Sequence, residues 1–109
     1  MVSDEFISYV LDQLSDFGEV AWRRMFGGVG LYHDGLMFAL IANDVLYFKV
    51  DDANRSDYES AGSGPFRPYP DKQTVMSYYE VPIDVSEDRH ELATWAEKAF
   101  GAAKRAKRA

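Results

Sequence analysis

Apolar residues recur at helical spacing at the start of the chain and again at its end. In both segments the stripe is flanked by polar residues on the opposite side, which is typical of an amphipathic helix. Ser3 is a favourable N-cap for the first helix and Gly18 a plausible stop, so a helix is predicted over residues 3–16. The final helix is predicted to begin near Ser86. Its stripe comprises Leu92, Trp95, Ala96, Ala99, Phe100 and Ala103.

Between these helices the apolar period changes to two, which indicates strands. Extended runs are predicted at residues 20–25, 29–33, 36–42 and 45–50. The pair Asp34-Gly35 predicts a tight hairpin, because both central residues of a type I′ turn need positive φ. The run 36–42 is apolar on both faces, which is typical of a central strand. The result is an antiparallel meander.

A short polar helix is predicted to start at Asp51 or Asp52, to end near Gly62 and to lie on the surface. A proline-rich loop follows at 63–73, and then a last strand at 75–81. The predicted order is therefore α-β-β-β-β-α-β-α. We expect an α+β two-layer domain with an antiparallel sheet of about five strands and its helices packed on one face.

Length and composition support a single globular domain over residues 1–109. Hydrophobic residues are 47% and charged residues 28%, which excludes a disordered chain. No apolar run is long enough to span a membrane, and the first residues have no signal-peptide pattern. There is no cysteine, so disulfides and cysteine-ligated metals are excluded. The expected compartment is the cytoplasm, with no membrane partner.

Charge is unevenly distributed along the chain. The formal net charge is -6, which argues against a domain that grips nucleic acid by itself. A basic tail at 104–109 stands against this acidic body. It is a candidate contact for phosphates or an acidic partner, although the same charges also suit the end of a helix. The four basic residues are Lys104, Arg105, Lys107 and Arg108.

No set of residues predicts catalysis, a metal site or a cofactor site. His33 and His90 lack metal-ligand spacing. The glycines at 27–30 join strand to strand, whereas a phosphate-binding glycine loop joins strand to helix. They are better explained by positive φ or close packing. Ser63-Gly64 lies in a proline-rich loop, which is not the strand-turn-helix context of a nucleophile elbow. We expect no enzyme activity.

The outer face of the predicted sheet is a candidate interaction face. Tyr47 and Lys49 alternate with inward apolar residues, and one tyrosine of Tyr78-Tyr79 and one arginine of Arg23-Arg24 must join them. Tyrosine and arginine are favoured at interface centres, although they are also common on solvated antiparallel sheets. The candidate residues are Arg23, Arg24, Tyr47, Lys49 and Tyr78.

Short segments between residues 25 and 99 form an ordered set. They are Met25-Phe26-Gly27-Gly28, Gly30-Leu31-Tyr32, Asp34-Gly35, Met37-Phe38-Ala39-Leu40, Leu46-Tyr47-Phe48-Lys49-Val50, Pro65-Phe66, Tyr78-Tyr79-Glu80-Val81-Pro82 and Trp95-Ala96-Glu97-Lys98-Ala99. Together they resemble the TfoX (Sxy) amino-terminal domain family. The resemblance implies structural roles only, and no catalytic residue, for Met25, Phe26, Gly27, Gly28, Gly30, Tyr32, Gly35, Tyr79, Pro82 and Trp95.

The resemblance also carries functional expectations. Named members of the family are competence regulators that act as coactivators with the cyclic AMP receptor protein, and they carry a second domain. This chain is therefore expected to be a stand-alone amino-terminal domain with a fold similar to secretion-chaperone-like domains. It is expected to be a non-enzymatic regulator that works through protein contacts, with only weak or indirect DNA contact.

Two alternatives remain open at this point. One is a homodimeric interaction module with no tie to transcription. The other is a small-molecule binder or enzyme that uses a pocket beneath the proline-rich loop, near Tyr69 and the glycine turn.

Overall fold

The strands form one antiparallel sheet whose spatial order follows the chain. They are β1 (Ala21–Met25), β2 (Gly28–His33), β3 (Leu36–Ala42), β4 (Val45–Lys49) and β5 (Tyr78–Glu80). The structure is a computed structural model that describes residues 2–25, 27–68 and 76–108. In this part of the chain β3 is the central strand, as its apolar residues on both faces predict.

Two hairpins of the meander are closed by type I′ geometry. Asp34 and Gly35 have φ of 49° and 78°, so the predicted turn is confirmed. Asn43 and Asp44 repeat it between β3 and β4, with φ of 52° and 58°. The two carboxylate oxygens of Asp44 accept hydrogen bonds from the Ser3 amide and hydroxyl at 2.9 and 3.2 Å. This turn is thereby tied to the start of the first helix.

The helices are α1 (Asp4–Gln13), α2 (Arg55–Ser60), α3 (Ile83–Ser86) and α4 (Arg89–Arg108). Ser3 caps α1, since its hydroxyl accepts from the Phe6 amide at 3.1 Å. None of these helices is long and apolar enough to cross a membrane.

The predicted start of the final helix near Ser86 is wrong. Residues 83–86 form the separate short helix α3, and α4 begins only at Arg89. Asp88 explains the separate start of α4, because its carboxylate accepts hydrogen bonds from the amides of His90 and Glu91 at 3.0 and 3.2 Å. Asp88 therefore caps α4 in the way that Ser3 caps α1.

The helices cover one face of the sheet, called here the inner face. α4 packs on β3 and β4, and its buried Leu92 and Ala96 belong to the same core cluster as Ile41 of β3 and Phe48 of β4. β2 and β3 change register next to Leu31 and Tyr32.

Phe38 lies at this irregularity and is fully buried. Its ring packs 5.0 Å from Phe17 and 5.9 Å from Phe48.

Helix α2 is anchored in the core, although the sequence predicted that this helix lies on the surface. Tyr58 is 1% exposed, and its ring centroid lies 4.7 Å from Trp95 and 5.8 Å from Tyr79. Among the described residues its hydroxyl has no hydrogen-bond partner. Burial in this aromatic cluster raises the pKa of Tyr58 far above its ordinary value.

Candidate interaction face

The face of the sheet away from the helices is called here the outer face. Its residues follow from the strand pairing, since cross-strand partners share a face. One row runs across all five strands: Arg23 pairs with Gly30, Gly30 with Leu40, Leu40 with Tyr47, and Tyr47 with Glu80. The predicted outward positions of Arg23 and Tyr47 therefore agree with the structure.

Two cations of the outer face lie over aromatic rings. The Arg23 guanidinium carbon is 5.5 Å from the ring centroid of Tyr32. The Lys49 ammonium is 5.1 Å from the ring centroid of Tyr78 and donates to the Ser77 hydroxyl at 2.7 Å. Such pairs are weakly attractive at exposed sites and hold the charge next to apolar surface. The face thus presents charge and aromatic area together.

Tyr78 belongs to this face but is largely buried, with 7% of its surface exposed. Its hydroxyl is 3.5 Å from the Met37 carbonyl oxygen, so the side chain reaches across the sheet towards β3. Burial, with a smaller contribution from Tyr32, raises the pKa of Tyr78 to about 12. The hydroxyl therefore stays protonated and cannot serve as a base at neutral pH.

Tyr47 packs against Phe66 with a centroid distance of 4.8 Å. Its pKa is raised by burial and by the neighbouring charge of Glu80. Tyr47 thus offers aromatic surface and a neutral hydroxyl, which are the properties of a contact residue, whereas Tyr78 is buried beneath Lys49.

Glycines on the outer face allow close packing there. A Cβ at Gly28 would lie 2.8 Å from the backbone oxygen of Ile41. Gly28 is thus required by close approach, and positive φ is found next to it at Gly27, which has φ of 78°. A Cβ at Gly30 would meet only side-chain atoms of Met25, Met37 and Tyr32, at 3.0–3.2 Å.

Arg24 does not belong to the outer face, which corrects its place among the candidate residues. It pairs with Val29, whose side chain is buried on the inner face. Its guanidinium donates to the Val2 carbonyl at 3.1 Å and forms an ion pair with Asp4 at 2.5 Å. Arg24 therefore links the edge strand to α1, because neighbouring residues on a strand point to opposite faces.

The basic tail is an extension of α4 through Arg108. Arg105 forms a two-pronged ion pair with Asp51 at 2.6 and 3.1 Å, which lowers the pKa of Asp51. Lys104 lies 5.1 Å from the ring centroid of Phe100. Within the described chain, Lys107 and Arg108 are exposed and have no ion pair, so these two remain available for a phosphate or an acidic partner.

Most of the remaining motif residues have structural roles. Tyr79 pairs with Phe48 on the inner face, Trp95 packs on Tyr58, and Pro82 precedes α3. Phe26 lies outside the described residues, as do Tyr69 of the small-molecule hypothesis, the second half of the proline-rich loop and the start of the predicted last strand at Val75.

Neither histidine is placed in a metal-ligand group. His33 Nδ1 lies 2.7 Å from the Glu19 carbonyl oxygen, and its ring packs between Phe17 and Phe100. Among the described residues no group of three His, Asp or Glu side chains could hold a metal ion.

Sequence reasoning did not include Tyr32, Met37 and Phe66 in the outer face. Tyr32 was assigned only a motif role, although its position in β2 places it beside Arg23. Met37 is hidden by the register irregularity, which shifts the inside-outside alternation of β3. Phe66 lies in a loop, and its contact with Tyr47 carries no periodic signal.

The fold and the outer face define a class of protein: a small α+β domain with a five-stranded meander, helices on one face and an aromatic, partly cationic opposite face. The family model described as TfoX N-terminal domain matches residues 12–103. The chain belongs to the TfoX N-terminal domain family. The comparison with curated proteins gave no match.

Proposed function

We propose that this domain is a non-enzymatic regulator that works through protein contacts, as a transcriptional coactivator beside a DNA-binding factor such as the cyclic AMP receptor protein. Membership of the TfoX N-terminal domain family supports the regulatory role. The observation that carries the contact is the outer face, where Arg23 and Lys49 lie over Tyr32 and Tyr78.

The charge distribution favours indirect action at DNA. The net charge of -6 opposes binding of the isolated domain to a polyanion, whereas a protein partner can supply the phosphate contacts. The unpaired Lys107 and Arg108 can then add a local phosphate contact once the partner has brought the domain to DNA.

A three-component binding experiment tests the proposal. A labelled promoter fragment is mixed with the cyclic AMP receptor protein, cyclic AMP and the domain near physiological salt. We expect a further mobility shift only when all components are present. Arg23→Glu and Lys49→Glu should abolish this shift, while Lys98→Glu, the same charge change on α4, should retain it. The absence of a shift with the unmodified domain would overturn the proposal.

The homodimeric alternative is separated by mass. Sedimentation of the domain alone, over a wide concentration range, gives a dimer on that alternative and a monomer on the coactivator proposal. If a dimer forms and Arg23→Glu dissociates it, the outer face is a self-association surface. This result would favour the transcription-independent interaction module over the coactivator.

A further inference from the structure

A cleft of about 290 Å³ lies between α1, α3 and the β4–β5 end of the sheet. Its floor is apolar, since it is formed by the buried side chains of Val10, Leu46, Val81 and Leu92. Two large apolar side chains stand exposed at its rim, Tyr9 at 43% and Ile83 at 71%. Exposed apolar groups around an apolar depression are typical of a docking site.

The rim of the cleft is acidic. Asp44, Glu80 and Glu87 line it, and the described residues that line it include no Lys or Arg. Asp44 is held by Ser3, but Glu80 and Glu87 have no ion pair within the described chain. A partner that fits must therefore bring positive charge on either side of an apolar anchor.

We propose that this cleft binds a basic segment of another protein that inserts an aliphatic or aromatic side chain between Tyr9 and Ile83 and places Lys or Arg beside Glu80 and Glu87. The proposal rests on the proposed function in that the domain acts through protein contacts. It adds a second contact surface, which borders the outer face at Glu80, and the chemistry of its partner.

A second copy of this chain fits the cleft less well. The basic end of α4 carries Lys107 and Arg108, but the large apolar side chains that are exposed in the described structure, Tyr9, Trp22, Met76 and Ile83, all lie outside this helix. Trp22 is 44% exposed and could act as an anchor, and the guanidinium carbon of Arg24 lies 5.9 Å from its ring centroid. That contact would join two different surfaces of successive copies and leave both ends open to growth. We therefore assign the cleft to a different protein.

The test is a selection of random short peptides displayed on phage against the full chain, followed by fluorescence anisotropy with the enriched peptides. We expect the enriched peptides to combine Lys or Arg with one aliphatic or aromatic residue. Ile83→Asp should weaken their binding about tenfold or more, because it removes an apolar wall of the anchor site. Its high exposure lets the variant fold, which circular dichroism checks.

Ile83→Asp also separates docking from general charge attraction. It makes the domain more acidic, so unspecific binding of a basic peptide would be unchanged or stronger. The double variant Glu80→Lys with Glu87→Lys should weaken binding about threefold to tenfold at low salt and less at high salt. The matched double variant Glu59→Lys with Glu97→Lys changes charge equally, away from the cleft, and should retain most of the affinity.

Several results would overturn the inference: no enriched peptide, enriched peptides without basic residues, or affinity that Ile83→Asp leaves unchanged. Growth of the domain alone into larger species that Ile83→Asp abolishes would identify a second copy as the occupant and overturn it as well. The three-component assay is a separate readout. A missing promoter complex with intact peptide binding would reject the coactivator role and leave the cleft assigned.

Discussion

The two faces of the sheet both carry aromatic side chains, yet they are covered in different ways. On the inner face Phe48 is fully buried under helices that belong to the same chain. On the outer face its neighbour Tyr47 stays partly exposed and packs against the ring of Phe66. The inner face is thus committed to stability. The outer face keeps aromatic area and charge at the surface, where a partner can use them.

The largest expected effect is the difference in stability loss between substitutions at the neighbouring residues Phe48 and Tyr47. Phe48→Ala should lower the free energy of unfolding by about 3–5 kcal/mol, because it leaves a cavity among packed rings. Tyr47→Ala should cost about 1–2 kcal/mol, since a half-exposed ring loses less burial. Urea denaturation measures both. Equal losses would show that the outer face is also core, and the contact role of Tyr47 would fail.

The next largest effect on stability is expected from substitutions at two glycines of the outer face. Gly28→Ala should destabilise by about 1–3 kcal/mol, because its Cβ would collide with the backbone oxygen of Ile41, which cannot move easily. Gly30→Ala should cost less, since the neighbouring atoms are side-chain atoms of Met25, Met37 and Tyr32 that can shift. Thermal denaturation of the two variants compares them. A larger loss at Gly30 would contradict the packing described for this face.

A substitution at Tyr58 tests the packing beneath the helices, with a smaller expected change in stability. Tyr58→Phe removes a buried hydroxyl that has no partner among the described residues and keeps the ring against Trp95 and Tyr79. Stability should rise by about 1 kcal/mol, because an unsatisfied buried hydroxyl is costly. A urea titration gives the midpoint shift. A fall in stability would mean that the hydroxyl is satisfied in solution.

The smallest expected effect concerns the Arg105–Asp51 ion pair. Arg105→Gln should cost no more than about 1 kcal/mol at neutral pH, since the pair is solvent-exposed. The ion pair lowers the pKa of Asp51 below its ordinary 3.8. Its contribution is therefore present above that pH and is lost as the pH falls through the lowered value.

Urea midpoints measured from neutral to strongly acidic pH check this. The difference between Arg105→Gln and the unmodified chain should shrink at the acidic end. Lys107→Gln, which removes a cation without an ion pair, should show no such pH dependence. A difference that grew with acid would contradict the assigned pairing.

Most of the fold could be predicted because its signals are local. The Asp34-Gly35 turn and the alternation of β4 depend on neighbouring residues, and both predictions are confirmed. The break before α4 was missed because Asp88 continues a helical pattern while its side chain caps a new helix. The burial of Tyr58 was missed because a lone aromatic in a polar helix has no period.

The candidate site was predicted only in part, because it depends on strand parity and on long-range contacts. Alternation placed Tyr47 and Lys49 correctly on one face, but it could not choose between Arg23 and Arg24 without the register of β1. The acidic cleft had no sequence signal. Its walls come from α1, α3 and two strands that are distant in the chain.

The chain order has a consequence for synthesis on the ribosome. The four strands of the hairpins emerge before α4, the helix that packs on β3 and β4. Until that helix has left the exit tunnel, the apolar side chains of Ile41 and Phe48 have no cover from it and can bind other nascent chains. We therefore expect ribosome-bound chains that stop before residue 89 to recruit chaperones, and complete chains to release them.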